Sequence, residues 1–401
     1  MNYIGEHLWL GQAGHIFNLV SFVAAVVATI AFFLGGVADP NDPNAKSWIK
    51  IGRIFFVVEA ICVFATFSLL YVIISNHYFE YKYAYMHSDK SLQPEYLLSC
   101  FWEGQEGSFM LWSFWHCVLG IVIMLTAKKW EAGVMSVISF AQVLLASMVL
   151  GVYLFGHKIG SSPFSLLRNE MDWPILSRPD YLTLIKDGTG LNTLLQNYWM
   201  VIHPPILFLG FASTIIPFGY AMAGFMRKSH DWLKSAIPWA SFSAAILGLG
   251  IMMGAAWAYE SLSFGGYWAW DPVENASLVP WLTLVAGLHT NMIAKSTGYS
   301  LRPTYFFYIV SFLLILYSTF LTRSGILGDT SVHAFTDLGM NTQLLVFLLI
   351  FVIPAFTIFA IRYKSIPSIA KEEATSSREF WMFIGSLVLF LAGMVIIAKT
   401  S

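Results

Sequence analysis

The chain has 401 residues, of which 57% are hydrophobic and only 11% are charged. Its mean hydropathy of +0.66 excludes an ordinary soluble domain and indicates a membrane protein with several spans. The net charge of -1 gives no information about partners. We expect no nucleic-acid partner. The sequence has no Gly-x-x-x-x-Gly-Lys-Ser/Thr phosphate loop, which argues against an ATP-driven step within the chain.

Ten apolar segments are each close to the roughly 20 residues that a helix needs to cross a bilayer. We therefore predict an all-α, polytopic helix bundle that forms a single transmembrane domain over residues 1–401. The predicted helices are 16–34, 51–75, 109–127, 133–155, 204–225, 237–257, 276–294, 304–322, 341–361 and 379–398. An even number of spans places both termini on the same side of the membrane.

The side follows from the positive charges. Most of the 22 Lys and Arg residues fall in the odd-numbered connections, which the positive-inside rule assigns to the cytoplasm. We expect both termini and the even-numbered loops on the outer, periplasmic side of the inner (cytoplasmic) membrane. No basic residue or small-residue cleavage site flanks the first helix, so we expect it to be retained and not removed as a signal peptide.

Two polar residues interrupt the first apolar helices. Glu59 would be costly facing lipid, so we expect it to face the bundle, and an interhelical hydrogen bond is favoured over a proton or redox role. His116 is favoured as a packed histidine over a metal ligand. The three cysteines form no Cys-x-x-Cys or Cys-x-x-Cys-His motif, so the chain does not itself carry a c-type haem.

The longest external loop covers residues 156–200 and is rich in turn residues, with a short helix predicted near 191–199. It is too short for a separate domain and is expected to cover or dock onto the bundle. It leads into the sequence IHPPILFLG. We place Pro204 and Pro205 in the first turn of the fifth helix, where proline is best tolerated, which puts His203 at the outer membrane surface.

An aromatic stretch at 258–282 contains SFGGYWAWDPVENASLVPWL. Aromatic faces can stack on a planar ring system or pack around its edge, and paired glycines allow a close backbone approach. An aromatic belt at the membrane interface is the alternative, but a belt does not need Trp-x-Trp-Asp-Pro in a fixed order. The candidate ligand-binding residues of this stretch are Phe264, Gly265, Gly266, Tyr267, Trp268, Trp270, Asp271, Glu274, Asn275 and Trp281.

Histidines flank this stretch. His203 precedes it, His333 follows in the external loop 323–340, and His289 lies within the helix after it. Imidazole is a common axial ligand of haem iron, and two imidazoles on opposite faces of the ring would complete six-coordination. Arg323 could pair with a haem propionate, because a guanidinium matches a carboxylate bidentately. The pattern predicts a haem-binding surface on the outer side.

The sequence WAWDPVENASLVPWL resembles the WWD signature of the haem-handling protein superfamily, which includes CcmF, CcsA and CcmC. Its Pro-Val-Glu-Asn-Ala-Ser continuation is similar to the CcmF haem lyases and differs from the CcsA synthases. The segments GQEGSFMLW, SSPF, LNTLLQNYWMVIHPPILFLGF, GAAWAYESL and TFLTRSGILGDTSVHAF also resemble CcmF in the same order, over about residues 1–340.

The resemblance implies a haem lyase of cytochrome c maturation. Haem b delivered by the chaperone CcmE would bind at the WWD surface, with His203 and His333 as axial ligands. Its vinyl groups would form thioether bonds with the thiols of an apocytochrome Cys-x-x-Cys-His motif. Positioning would be the main catalytic lever, since the chain offers no activated nucleophile. Thiol-reducing or thiol-presenting subunits of the CcmH and CcmI type are the implied further partners in a multi-subunit complex.

The sequence departs from the family at three places. Phe264 replaces the usual Trp before Gly-Gly, and Gln105 stands where some members have His. The resemblance assigns His289 to a separate intramembrane b-type haem, but the family's second ligand to that haem lies beyond this chain. A second polypeptide could supply it, His116 could substitute, or the b haem could be absent. We favour a second polypeptide that provides the missing C-terminal helices.

Other classes fit the sequence less well. A transporter of haem or a small molecule is expected to show inverted repeats, and none is evident. A b-type redox subunit needs paired intramembrane histidines, whereas His116 and His289 lie at different predicted depths. A structural scaffold leaves the ordered aromatic stretch unexplained, and a haem-exporting CcsA-type synthase is disfavoured by the residues after Asp271-Pro272.

Overall fold

A computed structural model describes residues 3–39, 41–262, 266–327, 339–369 and 374–400. In these ranges the chain forms fifteen α-helices and one short antiparallel hairpin. The long helices are α1 (Leu8–Val37), α2 (Pro43–Ser75), α5 (Gln105–Thr126), α6 (Glu131–Met148), α9 (Tyr198–Ser213), α10 (Ile215–Arg227), α11 (Leu233–Ser261), α12 (Pro272–Thr297), α13 (Leu301–Arg323), α14 (Asn341–Arg362) and α15 (Arg378–Thr400). The short ones are α3 (Lys82–His87), α4 (Pro94–Glu103), α7 (Leu167–Glu170) and α8 (Tyr181–Leu184).

The predicted all-α membrane bundle is confirmed. In the described ranges, ten helical segments are long and apolar enough to cross a membrane, with α9 and α10 together forming the fifth. Each coincides with a predicted helix.

Two predicted helix ends are wrong. The fourth span ends at Met148 and not at 155, because the chain turns into the hairpin of β1 (Val152–Leu154) and β2 (His157–Ile159). Phe155 and Gly156 both have positive φ at its turn, as a tight hairpin turn requires. The fifth span begins at Tyr198, so Pro204 and Pro205 lie inside α9 and not in its first turn.

The bundle packs through small residues where helices approach closely. The α1 face towards α2 and α6 carries buried alanines and the pair Gly35 and Gly36. A side chain on Gly36 would meet the backbone of Gly133 in α6. In a bilayer, such small-residue faces allow the dispersion contacts that hold helices together. α9 packs on α11, and α12 packs on both α13 and α15.

At one end of the bundle, hydrogen bonds and an ion pair join the loops to the N-terminal residues. Tyr81 donates a hydrogen bond to the His7 carbonyl oxygen and accepts one from the Gly11 amide. Arg168 forms an ion pair with the buried Glu6 carboxylate at 2.7 Å. At the other terminus, Asn275 donates to the Thr400 hydroxyl at 3.0 Å. Both chain ends therefore lie at the same end of the bundle, as the even number of spans predicts.

Candidate functional site

A cavity of about 550 Å³ opens at this end of the bundle, which is a usual size for a small-molecule site. Its walls come from α9, α11, the start of α12, the end of α13 and the junction of α4 with α5. The lining is mainly apolar and aromatic. It brings together the predicted site residues His203, Trp268, Glu274 and Arg323, which lie far apart in the sequence.

His203 lies in the second turn of α9. The helix begins where the Asn197 side chain accepts a hydrogen bond from the Trp199 amide, and Asn197 also donates to Glu260 of α11 at 3.1 Å. The imidazole packs against Gly254 of α11, where a Cβ atom would lie 2.8 Å from the His203 Cε1. Glycine at 254 thus makes room for the ring on the cavity wall.

Arg323 is the last residue of α13 and lines the same cavity, with 7% of its surface exposed. Its guanidinium carbon lies 5.8 Å from the centre of the Phe109 ring. The acids that interact with it are Glu103, the last residue of α4, and Glu106 in the first turn of α5. A nearly buried guanidinium beside an apolar cavity suits a ligand with carboxylate groups, because charge-assisted, bidentate bonds offset its desolvation.

Trp268 is the aromatic residue in the described part of this stretch that lines the cavity. Its indole nitrogen is buried and has no hydrogen-bond partner among the described residues. The other aromatics of this stretch that the structure describes do not line the cavity. Trp270 is 62% exposed and meets Trp268 edge to face at 6.0 Å, and Tyr267 stacks on Tyr259 at 4.3 Å on the outer surface.

The acids of the stretch have a structural role. Asp271 caps α12 by accepting a hydrogen bond from the Val273 amide, and Glu274 reaches back to the amides of Ala269 and Asp271. This capping box fixes the turn that presents Trp268. Asn275 adds a bond to the Trp270 carbonyl oxygen. Glu274 also lines the cavity, and its Oε1 is buried without a partner among the described residues.

Several predicted residues lie outside the cavity. Trp281 donates to the Ala244 carbonyl oxygen at 2.8 Å and packs against Gly248, so in this structure it joins α12 to α11. Gly266 does not line the cavity. Phe264, Gly265 and His333 fall outside the described residues, and their roles stay predictions.

His289 is fifteen positions beyond Glu274 in α12, roughly 22 Å along the helix axis. It does not line the cavity. Its Nδ1 is buried and has no hydrogen-bond partner among the described residues. The structure does not support His116 as an iron ligand, because its Nε2 already accepts a hydrogen bond from the Trp112 indole at 3.2 Å. Gln105 is buried and bonded to the sulfur of Met340 at 3.2 Å.

Part of the cavity wall consists of residues that were not predicted from the sequence. Trp102, Glu103, Trp112 and Trp257 also line it. Trp102 is held by a hydrogen bond to the Met200 carbonyl oxygen, and Glu103 forms an ion pair with His87. The sequence FWEGQEGSFMLW carries a signal for Trp102, Glu103 and Trp112, but the same residues are also typical of an ordinary helix start.

Tyr83 and Cys100 lie just behind this wall. Burial, followed by the charges of Glu106 and Glu103, raises the pKa of Tyr83 well above its usual value. Burial, followed by the charge of Glu103, raises the pKa of the Cys100 thiol to about 12. Cys100 is therefore a neutral thiol at physiological pH and a poor nucleophile. Its chemistry agrees with the expectation that any reacting thiol comes from a partner.

Comparisons with known proteins agree with the fold. The family model described as "Cytochrome C assembly protein" matches residues 102–327, more than half of the chain. The CcmF cytochrome c-type biogenesis protein of Pseudomonas aeruginosa is 33% identical over 397 residues, which are 97% of this chain and 56% of that protein. NrfE of Haemophilus influenzae is 31% identical over 86% of this chain and 52% of its own length.

Among solved structures, a chain entitled "Cytochrome c Heme Lyase CcmF" matches with a TM-score of 0.74 at 22% identity. The match covers 98% of this chain and 56% of that chain, and at this identity it shows the fold alone. The fold and the family match define a polytopic cytochrome c assembly protein. The chain belongs to this family and, within it, to the CcmF-type proteins. It spans about half the length of the relatives that it matches.

Proposed function

We propose that this chain acts in cytochrome c maturation as the haem-holding part of a haem lyase. The observation that carries the proposal is the cavity, which joins His203, Trp268 and Arg323 from three separate segments. Delivered haem b is the substrate that these groups fit. The imidazole suits its iron, the apolar and aromatic walls suit its ring, and the guanidinium suits a propionate.

The orphaned Trp268 N–H supports this fit. A buried donor without an acceptor costs roughly 1–3 kcal/mol, so such a group is normally satisfied by a ligand or water. A haem carboxylate at the cavity mouth would supply an acceptor. His333 is proposed as the second axial ligand, on the family resemblance. Of the other residues of the aromatic stretch, Glu274 lines the cavity with Trp268, and Asp271 and Asn275 hold the turn before α12. The predicted haem contacts Phe264, Gly265, Gly266, Tyr267, Trp270 and Trp281 stay predictions.

The proposed reaction is addition of two apocytochrome thiols to the haem vinyl groups. Each sulfur bonds to the inner vinyl carbon while the thiol proton goes to the outer one, so the addition needs no net oxidant. The chain supplies no nucleophile of its own in this scheme. It holds the substrate immobile so that a bimolecular encounter becomes effectively intramolecular.

The proposal includes location and partners. The cavity faces the periplasm from the inner membrane, haem arrives from CcmE, and CcmH- or CcmI-type subunits present the reduced apocytochrome. The partner ligand of His289 for a separate b-type haem comes from the part of the relatives' length that this chain does not match. Activity is expected only in the assembled complex.

The test is haem capture by the purified chain after co-expression with haem-loaded CcmE, measured by pyridine haemochrome content. We expect CcmE-dependent haem in the wild type and strong loss in His203→Ala and in His333→Ala. His157→Ala is the matched control, because this histidine lies on the exposed hairpin and should not matter. Equal haem content in all four proteins, or none in the wild type, would contradict the proposal.

A further inference from the structure

A row of buried polar side chains leads from the cavity into the membrane-spanning part of the bundle. It runs from Trp112 on the cavity wall through His116 and Gln142 to Glu59. The four residues come from α5, α6 and α2, and each is at most 1% exposed. None of the steps proposed for haem attachment uses Glu59, Gln142 or His116.

Glu59 is the unusual member of the row. It is fully buried in a membrane-spanning helix, and neither carboxyl oxygen has a hydrogen-bond partner among the described residues. The prediction that Glu59 faces the bundle is confirmed, and Gln142 of α6 is the side chain on another helix that interacts with its carboxyl. The titratable groups that interact with Glu59 are the thiols of Cys62 on its own helix and Cys117 on α5. Neither brings a positive charge.

A lone carboxylate at such a site is expensive, whereas the neutral acid is not. Protonation removes this uncompensated charge, and Gln142 lies beside the carboxyl. The Gln142 amide is held in place by Ser113, whose hydroxyl donates to its Oε1 at 3.0 Å and whose carbonyl oxygen accepts from its Nε2 at 3.2 Å. The geometry therefore favours a proton on Glu59.

The other end of the row reaches the cavity. The Trp112 indole can only donate, so His116 Nε2 is an acceptor and a neutral His116 carries its proton on Nδ1. Gln142 and the backbone of Ala212 lie beside the same imidazole. The polar groups of the row polarise one another, and the low dielectric of the interior leaves the field of a charge in the cavity little screened.

We propose that Glu59 is a proton-binding group inside the membrane, linked through Gln142, His116 and Trp112 to the cavity, so that its protonation follows the charge of the molecule bound there. When the molecule bound in the cavity loses one positive charge, uptake of one proton from water by the Glu59 carboxylate is favoured. When that molecule gains one positive charge, release of the Glu59 proton to water is favoured. The proton site itself is independent of the proposed function. Its link to haem rests on that function.

The proton site is tested on haem-free protein by infrared spectroscopy across a pH series. We expect the carbonyl stretch of a protonated carboxylic acid in the wild type and its loss in the isosteric variant Glu59→Gln. Glu95→Gln is the matched control, because Glu95 is exposed at the start of α4 and should leave the band unchanged. A wild type without the band, or a band that survives in Glu59→Gln, would overturn the proton site.

The link is tested by electrochemical titration of haem captured from CcmE, with the electron supplied by the electrode. We expect a midpoint potential that falls as the pH rises in the wild type, with a flatter dependence in Glu59→Gln and in His116→Phe. The same pH dependence in wild type and Glu59→Gln would overturn the link. If no haem is captured, the proposed function fails and the link fails with it, while the infrared band still decides the proton site.

Discussion

The buried indole N–H of Trp268 is the sharpest residue-level feature of the cavity. Trp268→Phe keeps an aromatic ring there and removes the donor. Because a net hydrogen bond is worth about 0.5–1.5 kcal/mol, we expect haem to bind about two- to ten-fold more weakly, measured by absorbance titration. Trp381→Phe is the control, since that side chain is 63% exposed on α15. Unchanged affinity in Trp268→Phe would show that its N–H has no part in binding.

Gly254 sets the position of the His203 ring. A Cβ atom in Gly254→Ala would lie 2.8 Å from the imidazole and must displace it. Overpacking of this kind costs about 1–3 kcal/mol, so we expect haem affinity to fall about five- to 150-fold. The absorbance of the bound haem should also change as its ligand moves.

Gly385→Ala is the matched control for this substitution. Gly385 is also a helical glycine in a membrane-spanning segment, but a Cβ there meets no atom within 4 Å. It should bind haem as the wild type does. Equal affinity in Gly254→Ala and Gly385→Ala would contradict the placement of His203 on the cavity wall.

At the level of elements, the N-terminus of α12 holds the aromatic stretch in place. Asp271→Ala removes the cap, and the loss should destabilise the protein by about 1 kcal/mol in a denaturing-detergent titration. Asp271→Asn should be close to wild type, because asparagine also caps well. Equal loss in both variants would show that Asp271 acts through its charge and not through capping.

The helices were predictable because a span of apolar residues can satisfy its backbone hydrogen bonds in a bilayer only as a helix. Their ends were less so. Asn197 caps α9 well before Pro204, and only the structure shows that the proline pair is accommodated inside a helix. The apolar residues after Met148 were likewise predicted to continue the fourth span, whereas they form the first strand of the hairpin that turns at Phe155-Gly156.

The candidate site was partly predictable for a similar reason. Residue types indicated His203, Trp268 and Arg323, and these do meet in the cavity. The sequence could not show which aromatics of the stretch face inward, because Trp270 and Trp281 have the same chemistry as Trp268. Their directions depend on the turn before α12 and on the packing of α12 against α11.

At the scale of the whole molecule, the chain covers about half of its relatives' length. We expect His289 to hold a b-type haem only together with the part of these relatives that the chain does not match, since the described residues give its Nδ1 no partner and so do not orient the ring. The probe is the unmatched part of the Pseudomonas aeruginosa relative, co-expressed as a separate polypeptide.

The readout is the haem content of the purified pair. Haem that appears only with this polypeptide and disappears in His289→Ala is the expected result. His116→Phe should retain that haem. A stoichiometric b-type haem in this chain alone, lost in His289→Ala, would contradict this expectation.

The most direct test of the central claim is an electron cryo-microscopy structure of the wild-type chain after haem transfer from CcmE. The account predicts haem density in the cavity beside Trp268, with its iron at the His203 imidazole and a propionate at Arg323. Haem found only at His289, or bound outside the cavity with His203 uncoordinated, would contradict it.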